Sequence, residues 1–261
     1  MKVHLLKCAS MCPMSGLLPK SVFPALTCNC LLIETSAGLV LVDTGFGKED
    51  MADQSRLGPL SKVIGLKANV EDTAFQQITR LGLSPSDVTH VIPTHLDPDH
   101  AGGLPDFPNA TVHILESELE AALTPSNLKQ KKRYLSVHWK HQPNWQPYDL
   151  NSGDTWNGFQ RVKQLKGLPP EILLVALPGH SLGHAGIAIS TESGWLLHAG
   201  DAYYDRRQLE RRAKITPGMR LFERFADEKF KLASETRTRL RDIVLSNPEI
   251  HSICSHDEES L

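Results

Sequence analysis

The 261-residue chain contains no run of about 18 apolar residues, the least a membrane-spanning helix needs, so no span is expected. It has almost no net charge, with 28 Lys and Arg against 30 Asp and Glu, a formal balance of −2. A nucleic-acid binder would show a basic excess or stripe, so neither a nucleic acid nor a membrane is expected as partner. Residues 1–8 lack the continuous apolar segment of a secretory leader, because Lys7 interrupts it. Cysteine is scarce: Cys8, Cys12, Cys28, Cys30 and Cys254 are odd in number and show no CxxC spacing. That fits a reduced, cytoplasmic chain better than a disulfide scaffold. Linkers, repeats and low-complexity tracts are missing too, so residues 1–261 read as one domain, monomeric or homodimeric. What the chain does have is histidine, 12 residues in all, and their placement carries the argument.

Residues 31–34 and 39–42 are short apolar runs around Thr35-Ser36-Ala37-Gly38 and read as a hairpin that ends in Asp43-Thr44-Gly45. Residues 48–69 read as loop with some helix. Phe75, Ile78, Leu81 and Leu83 are spaced for a helix over 71–83. Residues 88–93 and 111–115 read as strands, 116–123 as a short helix, and 124–170 as loop with irregular strands. Further strands are expected at 172–177, at 195–198 and at the close of the chain. Residues 223–245 carry Phe225, Phe230, Leu232, Leu240 and Ile243 among charges, which predicts one long amphipathic helix. The pattern is α/β, two layered sheets with helices outside.

Five strand ends present His or Asp: Asp43, the cluster His95-Leu96-Asp97-Pro98-Asp99-His100, His180, Asp201 and His256. Loops at strand ends are where a rigid scaffold displays reactive groups. Side chains two apart on an extended segment point the same way, so His95 and Asp97 can converge on one metal. Asp99 and His100 follow Pro98 and can turn towards a second. Imidazole and carboxylate suit Zn, Fe or Mn. A two-metal site needs a bridging carboxylate, and Asp201, flanked by Gly200, is the natural one.

The set D-T-G at 43–45, T-H-x-D-x-D-H-x-G-G at 94–103, P-G-H-S-x-G-H at 178–184, G-D at 200–201 and S-H-D at 255–257 resembles the metallo-β-lactamase superfamily. The resemblance implies an αββα sandwich of the metallo-β-lactamase type, with a dinuclear site on one edge. It implies His95 and His180 at the first metal, Asp99, His100 and His256 at the second, and Asp201 between them. Asp43 would orient ligands from behind. Asp201-Ala202-Tyr203-Tyr204 is similar to the N-acyl-homoserine-lactonase branch, where a Tyr three residues after the Asp assists at the substrate carbonyl oxygen. Tyr204 takes that place, with plain packing as its other reading. The pattern departs at Asp97, where most members have His and the flavodiiron proteins have Glu and hold iron. An oxygen ligand there moves metal preference from zinc towards iron or manganese.

The function expected is hydrolysis of an ester-like bond in a small molecule, foremost a lactone, by a hydroxide bridging two divalent ions, with Asp99 passing a proton to the leaving alkoxide. The alternatives are glyoxalase-II-like thioester cleavage, persulfide-dioxygenase-like iron chemistry, and a non-catalytic ligand-binding module. His184, His251, His90, His113, His138, His141 and His198 are assigned no metal, and Cys254 reads as a small buried hydrophobe.

Overall fold

The computed structural model describes residues 1–12, 25–150, 153–213 and 215–258. Seven strands, β1 (Lys2–Met11), β2 (Leu26–Thr35), β3 (Gly38–Val42), β4 (Leu66–Lys67), β5 (Val88–Ile92), β6 (Thr111–Leu115) and β7 (Asn144–Tyr148), form one sheet in the order β4-β1-β2-β3-β5-β6-β7. Six more, β8 (Asp154–Trp156), β9 (Phe159–Gln164), β10 (Ile172–Ala176), β11 (Ala185–Thr191), β12 (Gly194–His198) and β13 (Ile250–Ile253), form a second in the order β13-β12-β11-β10-β9-β8. The helices are α1 (Lys48–Ala52), α2 (Ser61–Ile64), α3 (Ala74–Arg80), α4 (Pro98–Ala101), α5 (Glu116–Leu123), α6 (Leu128–Arg133), α7 (Pro217–Ala226) and α8 (Phe230–Ser246).

Strand β2 explains the layering. Its residues from Leu26 to Ile33 are all buried, because both faces are covered. Leu31 and Ile33 join Val40, Leu174 and Ile187 in the core between the sheets. Cys30 and Leu32 face the other way, into a cluster with Met51 of α1, Ile78 of α3 and Ala122 of α5. The outer face of the second sheet, with Val175, Ala188 and Leu197, is closed by Leu240 of α8. The result is the αββα sandwich.

Topology gathers the reactive loops. β3 and β5 are parallel, β12 and β13 are parallel, and β10 and β12 both run antiparallel to β11. The C-terminal ends of β3 and β5 therefore lie at one edge of their sheet, and those of β10, β12 and β13 at one edge of theirs.

Two readings need correction. The helix expected over 223–245 is two helices, broken at 227–229, because the Glu228 and Lys229 amides donate to the carbonyls of His180 and Gly179, at 2.8 and 2.9 Å. Residues 124–170 contain not only strands but also α6, whose sequence LKQKKR has no apolar period to announce it. Lys2–Met11, to which the sequence pattern assigns no element, form β1. Among the described residues, no helix is long and apolar enough to cross a membrane.

Candidate metal centre

Asp43 leaves β3 with a positive φ of 54°, a conformation uncommon for a non-glycine residue. Its carboxylate accepts the Thr94 amide at 2.6 Å, the Thr94 hydroxyl at 3.0 Å and His100 Nδ1–H at 2.8 Å. The strand end thus fixes the loop that follows β5. The Thr94 hydroxyl, having donated to Asp43, accepts from His95 Nδ1–H at 2.9 Å. Gly179 has a φ of 134°, and a Cβ there would lie 2.3 Å from the Ala233 amide nitrogen, so the loop after β10 lies directly on α8.

The loops bring three sets of side chains together, each with ligand atoms within 4.8 Å of one another: His95, Asp97 and His180; His95, His100 and Asp201; Asp99, His100 and His256. Asp97 Oδ2 lies 3.2 Å from His180 Nε2 and 3.5 Å from His95 Nε2, so the shorter carboxylate reaches the first set. Asp201 spans both, with Oδ1 3.3 Å from His100 Nε2 and Oδ2 3.6 Å from His180 Nε2 and 3.1 Å from His256 Nε2. Asp99 Oδ2 stands 3.4 Å from His100 Nε2 and 3.6 Å from His256 Nε2.

The residues fit a pair of metal ions. Each of the four imidazoles spends Nδ1 on the protein: His95 on Thr94, His100 on Asp43, His180 on Tyr204 and Asp227, His256 on the Thr27 carbonyl at 2.6 Å. That leaves Nε2 of every ring facing the centre, and the buried Nε2 atoms of His95 and His100 have no hydrogen-bond partner there. Such anchoring of the outer nitrogen sets tautomer and ring orientation at metal sites. The electrostatics agree. Burial opposes charge on His100, yet Asp201, Asp99 and Asp43 push it well above the usual imidazole range. Burial and Arg133 oppose charge on His180, but Asp201, Asp227 and Asp97 lift it to about 9. The centre attracts positive charge.

His184, close by, does otherwise. Burial, then His95 and His180, hold it well below the usual range, so it is neutral. Its Nδ1–H donates to the Leu177 carbonyl at 2.8 Å and its Nε2 accepts the Asp201 amide at 2.9 Å. His184 therefore positions the backbone of Asp201. Gly200 makes this approach possible, since a Cβ there would sit 2.5 Å from His184 Nε2. His198 donates to the Asn29 carbonyl, His90 and His113 bond each other, and His138 pairs with Asp50. His251 is exposed and Cys254 is buried.

Residues 24–250 match the Metallo-beta-lactamase superfamily. The chain belongs to that superfamily. It is 37% identical over 99% of its length, and 81% of the relative's, to the Mycobacterium tuberculosis protein named "Probable metallo-hydrolase Rv2300c". It is 30% identical to an N-acyl homoserine lactonase of Bacillus cereus, over 85% of this chain and 78% of that one. Its fold superposes with a TM-score of 0.74 and 27% identity on an N-acyl homoserine lactone hydrolase carrying the product N-hexanoyl-L-homoserine at the catalytic metal center, covering 99% of this chain and 94% of that one. This superfamily member has the fold and the metal-binding side chains of a metallo-hydrolase.

Four residues around the centre escaped the sequence. Arg133 of α6 faces Asp97, with Nε 3.5 Å from Oδ1. Asp227 accepts from His180 Nδ1–H at 3.3 Å. Glu118 of α5 is fully buried and accepts from the Leu96 amide, Tyr134 hydroxyl, Ser181 hydroxyl and Gly183 amide. Thr94 relays Asp43 to His95. Of these, only Thr94 stood inside a motif.

Proposed function

We propose that this chain is a metal-dependent hydrolase that opens the lactone ring of a small molecule bearing an apolar chain. The observation that carries the reading is the pocket over the metal centre. It has a volume of about 360 Å³, and Asp97, Asp99, His180, Asp201, Tyr204 and His256 are among the side chains that line it. Leu60, Val63, Ile64, Leu221, Phe222 and Phe225 supply its apolar lining, and Lys129, Lys132 and Arg133 add three cationic side chains. Apolar walls with a few convergent polar groups are the signature of a small-molecule site. The likeness to lactone hydrolases supports the same substrate class.

His95, Asp97 and His180 would hold one divalent ion, Asp99, His100 and His256 the other, and Asp201 would reach both. Zinc suits the four imidazoles. When bound, the ions supply Lewis acidity and lower the pKa of water to near neutrality. The chain supplies the rest. His180 Nδ1–H is shared between Tyr204 Oη at 2.9 Å and Asp227 Oδ1 at 3.3 Å, and with Tyr204 Oη accepting, the phenol proton is free to be donated into the pocket. Burial, then Asp201 and Asp227, push the Tyr204 phenol well above its usual range, so it remains a donor at neutral pH. There it can bond the carbonyl oxygen of the ester. Asp99, a carboxylate at the pocket wall, would take up the proton released by the attacking water and pass it to the leaving alkoxide.

The test is metal analysis of purified protein followed by a hydrolysis screen of acylated lactones and thioesters of increasing chain length. About two ions per chain and ring opening that improves with chain length are expected. Thioester cleavage without lactone cleavage would replace the substrate assignment, and absence of metal would remove the mechanism.

A further inference from the structure

Arg133 closes the last turn of α6 with a side chain only 7% exposed. Its Nη1 donates to the His180 carbonyl at 2.9 Å and its Nη2 to the Ala226 carbonyl. Its Nε faces Asp97 Oδ1. Among the described residues, no other carboxylate lies within ion-pair distance of it. Asp97 is therefore divided: one oxygen meets a buried guanidinium, and the other meets the imidazoles of His95 and His180.

We propose that Asp97 and Arg133 act as one electrically neutral unit, so that a carboxylate ligand enters the first metal position without making the centre more negative. The inference rests on the metal-centre reading above. Two divalent ions bring four positive charges, and Asp97, Asp99 and Asp201 bring three negative ones. A neutral ligand at position 97 would leave one more positive charge, and Arg133 restores it from a few ångströms away. In a dry interior, a unit charge at that distance changes ion affinity strongly. The pair is also self-consistent, since a buried cation with its only carboxylate removed is left uncompensated. Arg133 is thus a positioning residue that acts through Asp97.

The competing role is a backbone staple, in which Arg133 serves only the carbonyls of His180 and Ala226. A double-mutant cycle on zinc affinity separates the two. Zinc affinity is read by chelator competition, with thermal unfolding of the metal-free proteins as folding control. Asp97→His alone is expected to weaken one of two zinc sites about tenfold or more, because the guanidinium then faces the ion unpaired. Adding Arg133→Met is expected to regain most of that loss. Equal effects of Arg133→Met in the two backgrounds, or a deeper loss in the double variant, would overturn the pair. Arg133→Gln, which keeps a donor for the His180 carbonyl, replaces Arg133→Met if that variant unfolds. Wild-type protein that binds no zinc would overturn the metal centre itself, which is a different outcome.

Discussion

The Ser181 hydroxyl donates to Glu118 Oε2 over 2.6 Å, while Oε1 of the same carboxylate accepts the Leu96 amide at 3.0 Å. One buried side chain on α5 therefore ties the loop carrying His95 and Asp97 to the loop carrying His180. Glu118→Gln turns one acceptor into a donor that faces donors. The cost expected is about 1–3 kcal/mol of stability, the desolvation penalty of unpaired buried groups. Loss of metal from the first position at chelator concentrations the wild type resists is expected with it. Unchanged unfolding and unchanged metal retention would make the tie ornamental.

Tyr204→Phe removes the phenol proton and keeps the ring, which stacks on His256 with centroids 5.5 Å apart. Turnover is expected to fall about 100-fold, as when one donor to a developing oxyanion is lost. Metal content should not change. Asp99→Asn is expected to abolish measurable turnover; if it hydrolyses lactones at the wild-type rate, Asp99 moves no proton.

Asp43→Ala strips the acceptor from the Thr94 amide and from His100 Nδ1–H, both in the dry interior. Partners behind a metal-binding histidine typically contribute about 10–100-fold in metal affinity, and a loss of that size is expected at the second position. Titration with zinc under chelator control would show it.

His113 makes the fold sensitive to acid away from the metal centre. The Lys166 amide donates to Tyr148 Oη, so the phenol donates to His113 Nδ1, and His113 Nε2–H then donates to His90 Nδ1. Burial, then His90, lower His113 to about 4. The unfolded chain takes up this proton near pH 6.5, the folded one only near 4, so the unfolded state binds more protons between those values. Stability is full above about 6.5 and is lost as pH falls, by up to about 1.4 kcal/mol per pH unit. His113→Phe is expected to flatten that slope in urea denaturation between about pH 7.5 and 5. Parallel slopes would show that the imidazole does not matter.

The ligand loops were legible because each is a contiguous motif at the end of an apolar run: 94–103 after β5, 178–184 after β10, 199–204 after β12. The strands 111–115 and 172–176 and the helix 116–123 follow directly from their patterns. The supporting groups were not legible, for physical reasons. Glu118 in ESELEAAL looks like a solvated helix carboxylate, and its burial depends on two loops distant in sequence. Arg133 lies in a segment whose charges show no preferred face. Asp227 sits where the amphipathic pattern of 223–245 runs on unbroken, and the break comes from backbone bonds to residues 179 and 180. Strand β11 also went unread, although it pairs with both β10 and β12.

The donors at the centre come from both halves of the sandwich: His95, Asp97, Asp99 and His100 follow a strand of the first sheet, and His180, Asp201 and His256 follow strands of the second. Ions held by these groups would fasten the two sheets together at the edge where those strands end. Ligands that bind only the folded state stabilise it by mass action. Chelation should therefore act mechanically as well as chemically, loosening the seam so that amides at the ends of β5 and β12 exchange with solvent before those at the opposite edge.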